Sequence, residues 1–163
     1  VSLFDVLEHV DHPELVLAEV ARVLRPGGLL HVALPLEAQP GTVYSLIGTG
    51  TRWKAKLRHG GHVQLFDSDR YTSMAAACGL PVVRTRWSYH HLFSLIDVVF
   101  FLLADLRGPL ATSVEDAVAG RRGPLGHSLR GLKGLVAALG WYEARLFRRR
   151  TGACGHFTSR RVC

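Results

Sequence analysis

The order of hydrophobic patterns predicts an α/β fold with parallel strands. Three observations carry that expectation. An amphipathic helix pattern at residues 11–24 runs directly into an almost continuously apolar stretch, residues 29–34 (LLHVAL), as expected of a strand covered on both faces. A second helix pattern, residues 67–78, is followed by a second strand pattern, Val82–Ser88. A chain of 163 residues with 48% apolar and 20% charged side chains is also long enough for one real core, which excludes disordered and fibrous classes.

Taken in order, each element has a local cause. Asp11 is placed to cap the first helix with Glu14 three residues on, and Pro13 suits the first turn, where backbone N–H groups have no intrahelical partner. Val16, Leu17, Val20, Val23 and Leu24 recur at spacings of three and four against Glu14, Glu19 and Arg22, so one face is buried. Arg25-Pro26-Gly27-Gly28 stops the helix. The strand at 29–34 follows, with His31 reading as a satisfied core histidine, and the pair implies a βαβ unit whose first strand ends near Val1. Residues 37–61 read as loop, with Pro40, five glycines and a short helix at Val43–Ile47. Gly48-Thr49-Gly50 follows no buried strand and reads as a turn, not a phosphate cradle. Asp67 or Ser68 caps a helix running to Cys78, and Gly79-Leu80-Pro81 ends it. In the strand Val82–Ser88, Arg84 and Arg86 share one face and Val83, Thr85 and Trp87 the other.

Beyond Tyr89 the pattern changes. Residues 92–106 form a strongly apolar helix, 107–126 a connection containing Gly and Pro, and 128–150 an amphipathic helix striped by Leu129, Leu132, Leu135, Val136, Leu139, Tyr142 and Leu146. Residues 155–162 suit a short edge strand. The apolar run carries Asp97 and Asp105 and falls short of the roughly 20 residues that span a bilayer. The net charge of +7 sits in the tail: residues 121–163 hold nine Arg, one Lys and one acid, Glu143, a local +9 that leaves −2 for the rest. Such a tail suits an acidic partner or an anionic membrane, but there is no chain-wide field for nucleic acid. Cys78, Cys154 and Cys163, an odd number at wide spacing, point to a reduced, cytoplasmic compartment, with membrane association left open.

The stretch VSLFDVLEHVDHPELVLAEVARVLRPGGLLHVALP resembles the fourth-to-fifth-strand region of class I S-adenosylmethionine-dependent methyltransferases, above all the small-molecule group with LEHV, a helix, then LRPGG before an apolar strand. GHVQLFDSDRYTSMAAACGLPVV is similar to a later segment of the same group, which leads into its sixth strand. Together they span residues 1–83, about half the chain. The resemblance implies a Rossmann-like methyltransferase fold, incomplete at its N-terminus, with a helical insertion near the C-terminus. The organisation is then one partial domain: an α/β core at 1–91, an insertion or lid at 92–150 and a last strand at 151–163. The family's glycine-rich turn and ribose-binding acid would precede Val1, so the chain as given is expected to bind S-adenosylmethionine weakly.

Under this resemblance Ser2, Leu3 and Phe4 lie where the fourth strand meets the methionine end of the cofactor; the alternative is a merely packed turn. Glu8 and His9 are the candidate catalytic pair. Methyl transfer from a sulfonium is an in-line displacement, so the protein positions the nucleophile and removes its proton, work suited to His near neutral pH. Otherwise the pair only hydrogen-bonds its turn. Asp5, Glu8 and His9 form D-x-x-E-H, which resembles the metal-holding positions of quinone-precursor O-methyltransferases and would orient an acceptor on a divalent cation. His62 either faces the acceptor or bonds a backbone carbonyl in its turn; His90 and His91 read as helix-boundary residues. The expected function is methyl transfer to a small or lipid-like acceptor. The competing reading is a non-catalytic remnant, or an interaction module built on the basic helices with their Trp141-Tyr142 pair and Arg148-Arg149-Arg150 run.

Overall fold

The computed structural model describes residues 1–48, 54–107 and 123–162. Thr49, Gly50 and most of the 107–126 connection lie outside the described residues. In chain order the elements are β1 (Ser2–Phe4), a 3-10 turn (Leu7–His9), α1 (Pro13–Val23), β2 (Leu29–Pro35), α2 (Val43–Ile47), α3 (Ala55–His59), α4 (Ser68–Ala77), β3 (Val82–Ser88), α5 (Leu92–Arg107), α6 (Gly123–Leu146) and β4 (Cys154–Arg160).

The sheet runs β1-β2-β4-β3. β1 and β2 pair in parallel, Ser2 with His31 and Phe4 with Ala33, which completes the expected βαβ unit. The tail strand is not an edge. β4 lies between β2 and β3, antiparallel to both, so the sheet is mixed and β3 runs in the same direction as β1 and β2 without touching them. Gly155, Phe157 and Ser159 point into the core while His156 and Thr158 face a polar side, an alternation that allows a largely polar segment to occupy an interior position. The edge falls to β3, where a bulge between Val82 and Arg84 leaves Val83 exposed.

Leu17 and Val20 of α1, Tyr71 and Ala75 of α4, Leu30, Val32 and Leu34 of β2, Phe66, Leu80 and Phe157 form one core on one face of the sheet. Val23, expected in the α1 stripe, is exposed. The N-cap of α1 is His12, not Asp11, and no side chain caps it; His12 Nδ1 instead lies 3.2 Å from Glu14 Oε1. Asp67 caps α4 as expected, accepting from the Arg70 N–H. His31 is half-buried, 3.4 Å from Thr158 Oγ1 and stacked on His156, on the face opposite the core. His90 does lie at the start of α5, its Nδ1 3.4 Å from Thr151 O.

α3 falls where a loop was expected. Arg58 and His59 pair with Asp105 at 2.6 and 2.9 Å, tying this single turn to α5. α6 reaches α5 locally: Glu143 accepts from the His91 and Leu92 N–H groups at the start of α5, and Gly140 packs against Phe93. A Cβ at residue 140 would fall 1.6 Å from the Phe93 ring, so only glycine permits this approach. Among the described side chains the two helices do not cover each other's leucines. Leu132, Leu135, Leu139 and Leu146 remain exposed, as do Leu95, Val99, Leu102 and Leu106 of α5; Leu129's side chain lies outside the described ones.

Candidate functional site

Ligands of open α/β sheets sit outside the carboxyl ends of the strands. At that end of β1 the chain turns sharply: Asp5 has φ +50° and donates its N–H to Ala33 O at 3.1 Å. A non-glycine residue in this region is uncommon and marks a place where the surroundings impose the turn. The turn delivers the 3-10 segment, which buries Leu7 and Glu8 and leaves His9 partly exposed. Ser2 and Phe4 are exposed on β1, with Leu3 half-buried between them.

The segment from Gly60 to Gln64 closes the site from the other side. The N–H groups of Val63 and Gln64 both donate to the Glu8 carbonyl, at 2.9 and 3.2 Å. Gln64 Nε2 donates to the carbonyls of Val10 and Asp11, each at 2.8 Å. Gly61, at φ +68°, brings its carbonyl to 2.9 Å from His9 Nδ1. A carbonyl only accepts, so Nδ1 carries the proton and the neutral ring keeps its lone pair on Nε2. That nitrogen lies 3.9 Å from Glu8 Oε1.

Glu8, His9 and His62 thereby converge, each offering one ligand atom within 4.8 Å of the others. Asp5 is not in the group: it is exposed on its left-handed turn, and His62, brought in from far along the chain, takes the third place. The D-x-x-E-H reading therefore fails at its first position. Among the described residues His62 bonds no backbone carbonyl; its Nδ1 lies 2.9 Å from Glu37 Oε1.

Electrostatics differ sharply along this row. Glu8 is fully buried and, among the described residues, neither carboxylate oxygen has a well-formed hydrogen bond, so burial pushes its carboxyl up from the ordinary range, against smaller lowering effects of its own backbone N–H, His62 and His9. Glu37 is equally buried, which alone would raise it, but His62 and Lys56 together hold it below the ordinary range. Lys56 Nζ lies 3.3 Å from Glu37 and 2.8 Å from Asp97, while the Tyr44 hydroxyl donates to the same Asp97 carboxylate. Burial alone would lower Lys56; Tyr44, Glu37 and Asp97 outweigh it and keep the ammonium charged.

Glu37, Tyr44, Lys56, Gln64 and Asp97 escaped the sequence reading. One signal was present: an aspartate inside the apolar 92–106 run announces a buried counter-charge. Its partner could not be picked among Lys54, Lys56 and Arg58 without the turn of α3.

Residues 1–85 match a family model described as a methyltransferase domain. Over 99% of its length the chain aligns with the crystal structure of the [4+2]-cyclase SpnF, at 20% identity and a TM-score of 0.50, covering 48% of that chain. A putative sarcosine dimethylglycine methyltransferase from Galdieria sulphuraria aligns over 99% of this chain and 52% of its own, at 20% identity and a TM-score of 0.49. The chain thus spans about half the length of these two structures, and at 20% identity the likeness to the cyclase speaks for the fold alone. No curated protein sequence matches it.

Proposed function

The chain belongs to the methyltransferase-domain family, and on that premise we propose that it forms the acceptor-side half of an enzyme that moves a methyl group from S-adenosylmethionine to an oxygen or nitrogen of a small or lipid-like acceptor. The observation that carries this reading is the convergence of His9 Nε2, His62 and an unpartnered, buried Glu8 at the carboxyl end of β1. When bound, the cofactor supplies an electrophilic methyl on a sulfonium. The residues present fit that end of it: Ser2, Leu3 and Phe4 border the open strand end, and the bare Glu8 carboxylate offers negative charge where a sulfonium or an acceptor N–H or O–H needs a partner.

In this reading Glu8 and His62 hold the acceptor, and His9 Nε2 takes the proton that its N–H or O–H loses as the new bond to the methyl carbon forms. Gly61 fixes the His9 tautomer, and Glu37 positions His62. His9→Ala in the methyl-transferring enzyme is expected to lower kcat about a hundredfold, the scale of a lost general base, with the KM for S-adenosylmethionine unchanged. An unchanged rate would return His9 to a structural role. Glu8, His9 and His62 also have the donor chemistry of a divalent cation site. A metal role requires in addition that chelation abolish activity and that added cation restore it.

A further inference from the structure

Two features at the β3 edge are unused by the reaction. The first is the outer face of α6. Leu132, Leu135, Leu139, Tyr142 and Leu146 recur at spacings of three and four, so they form one stripe, and they are between 51% and 76% exposed. Gly140, Glu143, Ala144 and Phe147, turned toward the body, are buried or half-buried. The second is a cleft of about 390 Å³ at the C-terminal end of this helix, lined by Arg84, Thr85, Arg86 and Trp87 of β3 with Arg148 and Arg149. Four guanidinium groups share it, and among the described residues no acidic side chain lines it and none of the four makes an ion pair.

We propose that α6 and this cleft dock the protein on an anionic phospholipid bilayer, the cleft taking a headgroup phosphate and the leucine stripe entering the acyl boundary beside it. Arginine forks suit phosphate oxygens, and an apolar stripe next to cationic residues is what holds a helix in the plane of a membrane. The helix lies on the surface; among the described residues no helix is long and apolar enough to cross it. Charge selects this occupant over a second copy, since residues 121–163 carry +9 and two such tails repel.

The test is sedimentation of the full chain with vesicles of phosphatidylcholine alone or with about 30% phosphatidylglycerol, at ~50 mM and ~500 mM salt. Binding is expected only with phosphatidylglycerol, weakening about tenfold or more at high salt. Arg148→Glu with Arg149→Glu, and separately Leu135→Ser with Leu139→Ser, should each weaken binding about tenfold or more; all four side chains are exposed, so the fold should persist by circular dichroism. Loss in the arginine variant alone, with displacement by millimolar inorganic phosphate, would make the cleft a soluble-anion site and overturn the docking. Absent vesicle binding, or a dimer in solution that the leucine variant dissolves, would overturn it equally.

Discussion

Glu8 and Glu37 are both fully buried within reach of His62, and the fold treats them in opposite ways. Lys56 and His62 both approach Glu37 at Oε1, with Oε2 left without a hydrogen bond among the described residues, and Lys56 is held in turn by Asp97 under the Tyr44 hydroxyl. Among the described residues Glu8 has no hydrogen bond to either oxygen, and His9 Nε2 stands off at 3.9 Å from Oε1. The first carboxylate is built into the scaffold. The second is left in a state that costs stability, as expected where a group is kept for something that binds.

That contrast breaks most directly at Glu37. Removing one member of a buried ion pair strands the other charges, so Glu37→Gln should destabilise the fold by about 3–5 kcal/mol in urea unfolding. Its pH dependence follows from a carboxyl held below the ordinary range. The stability it contributes is present above the unfolded value, near 4.3, and is lost as pH falls through the lower folded value. An unchanged midpoint would mean that the pair merely breaks even and that Glu37 is no more built-in than Glu8.

A smaller loss is expected at the hinge between the two carboxylates. Gly61 sits at φ +68°, where a side chain costs about 1–2 kcal/mol, and its carbonyl sets His9 Nδ1. Gly61→Ala should lower stability by that amount and reduce turnover, with the His9 ring losing its fixed tautomer in NMR. Retained turnover would show that the tautomer is set elsewhere.

Glu8→Gln should act in the other direction, by about 1 kcal/mol. Because the folded carboxyl is raised, Glu8 favours the folded state below the unfolded value near 4.3 and loses that contribution as pH rises through the folded value. The glutamine variant should therefore be more stable than the native chain at neutral pH, the difference vanishing toward pH 4, while methyl transfer falls. Thermal melts across pH check this, and a variant less stable at neutral pH would show that the Glu8 charge has a partner in solution.

Much of the α/β frame was readable from local chemistry. Pro13, the three-four spacing of α1, the Pro26-Gly27-Gly28 stop and the apolar run of β2 each act within a few residues, and the resemblance carried by LEHV and LRPGG placed Glu8 and His9 at a strand end. The sequence determined the strand and helix identities of the frame, the basic tail, and the residue types able to move a proton. Only the tertiary structure decided that the polar tail strand enters the middle of the sheet, that His62 replaces Asp5 beside Glu8, that Lys56 neutralises Glu37, and that the α6 leucines stay outside. The physical reason is range. Caps, turns and periodicity are fixed by neighbours a few bonds away, whereas strand order, charge pairing and helix coverage depend on contacts across tens of residues, where one glycine against Phe93 or one turn at Asp5 selects among arrangements that the local pattern allows equally.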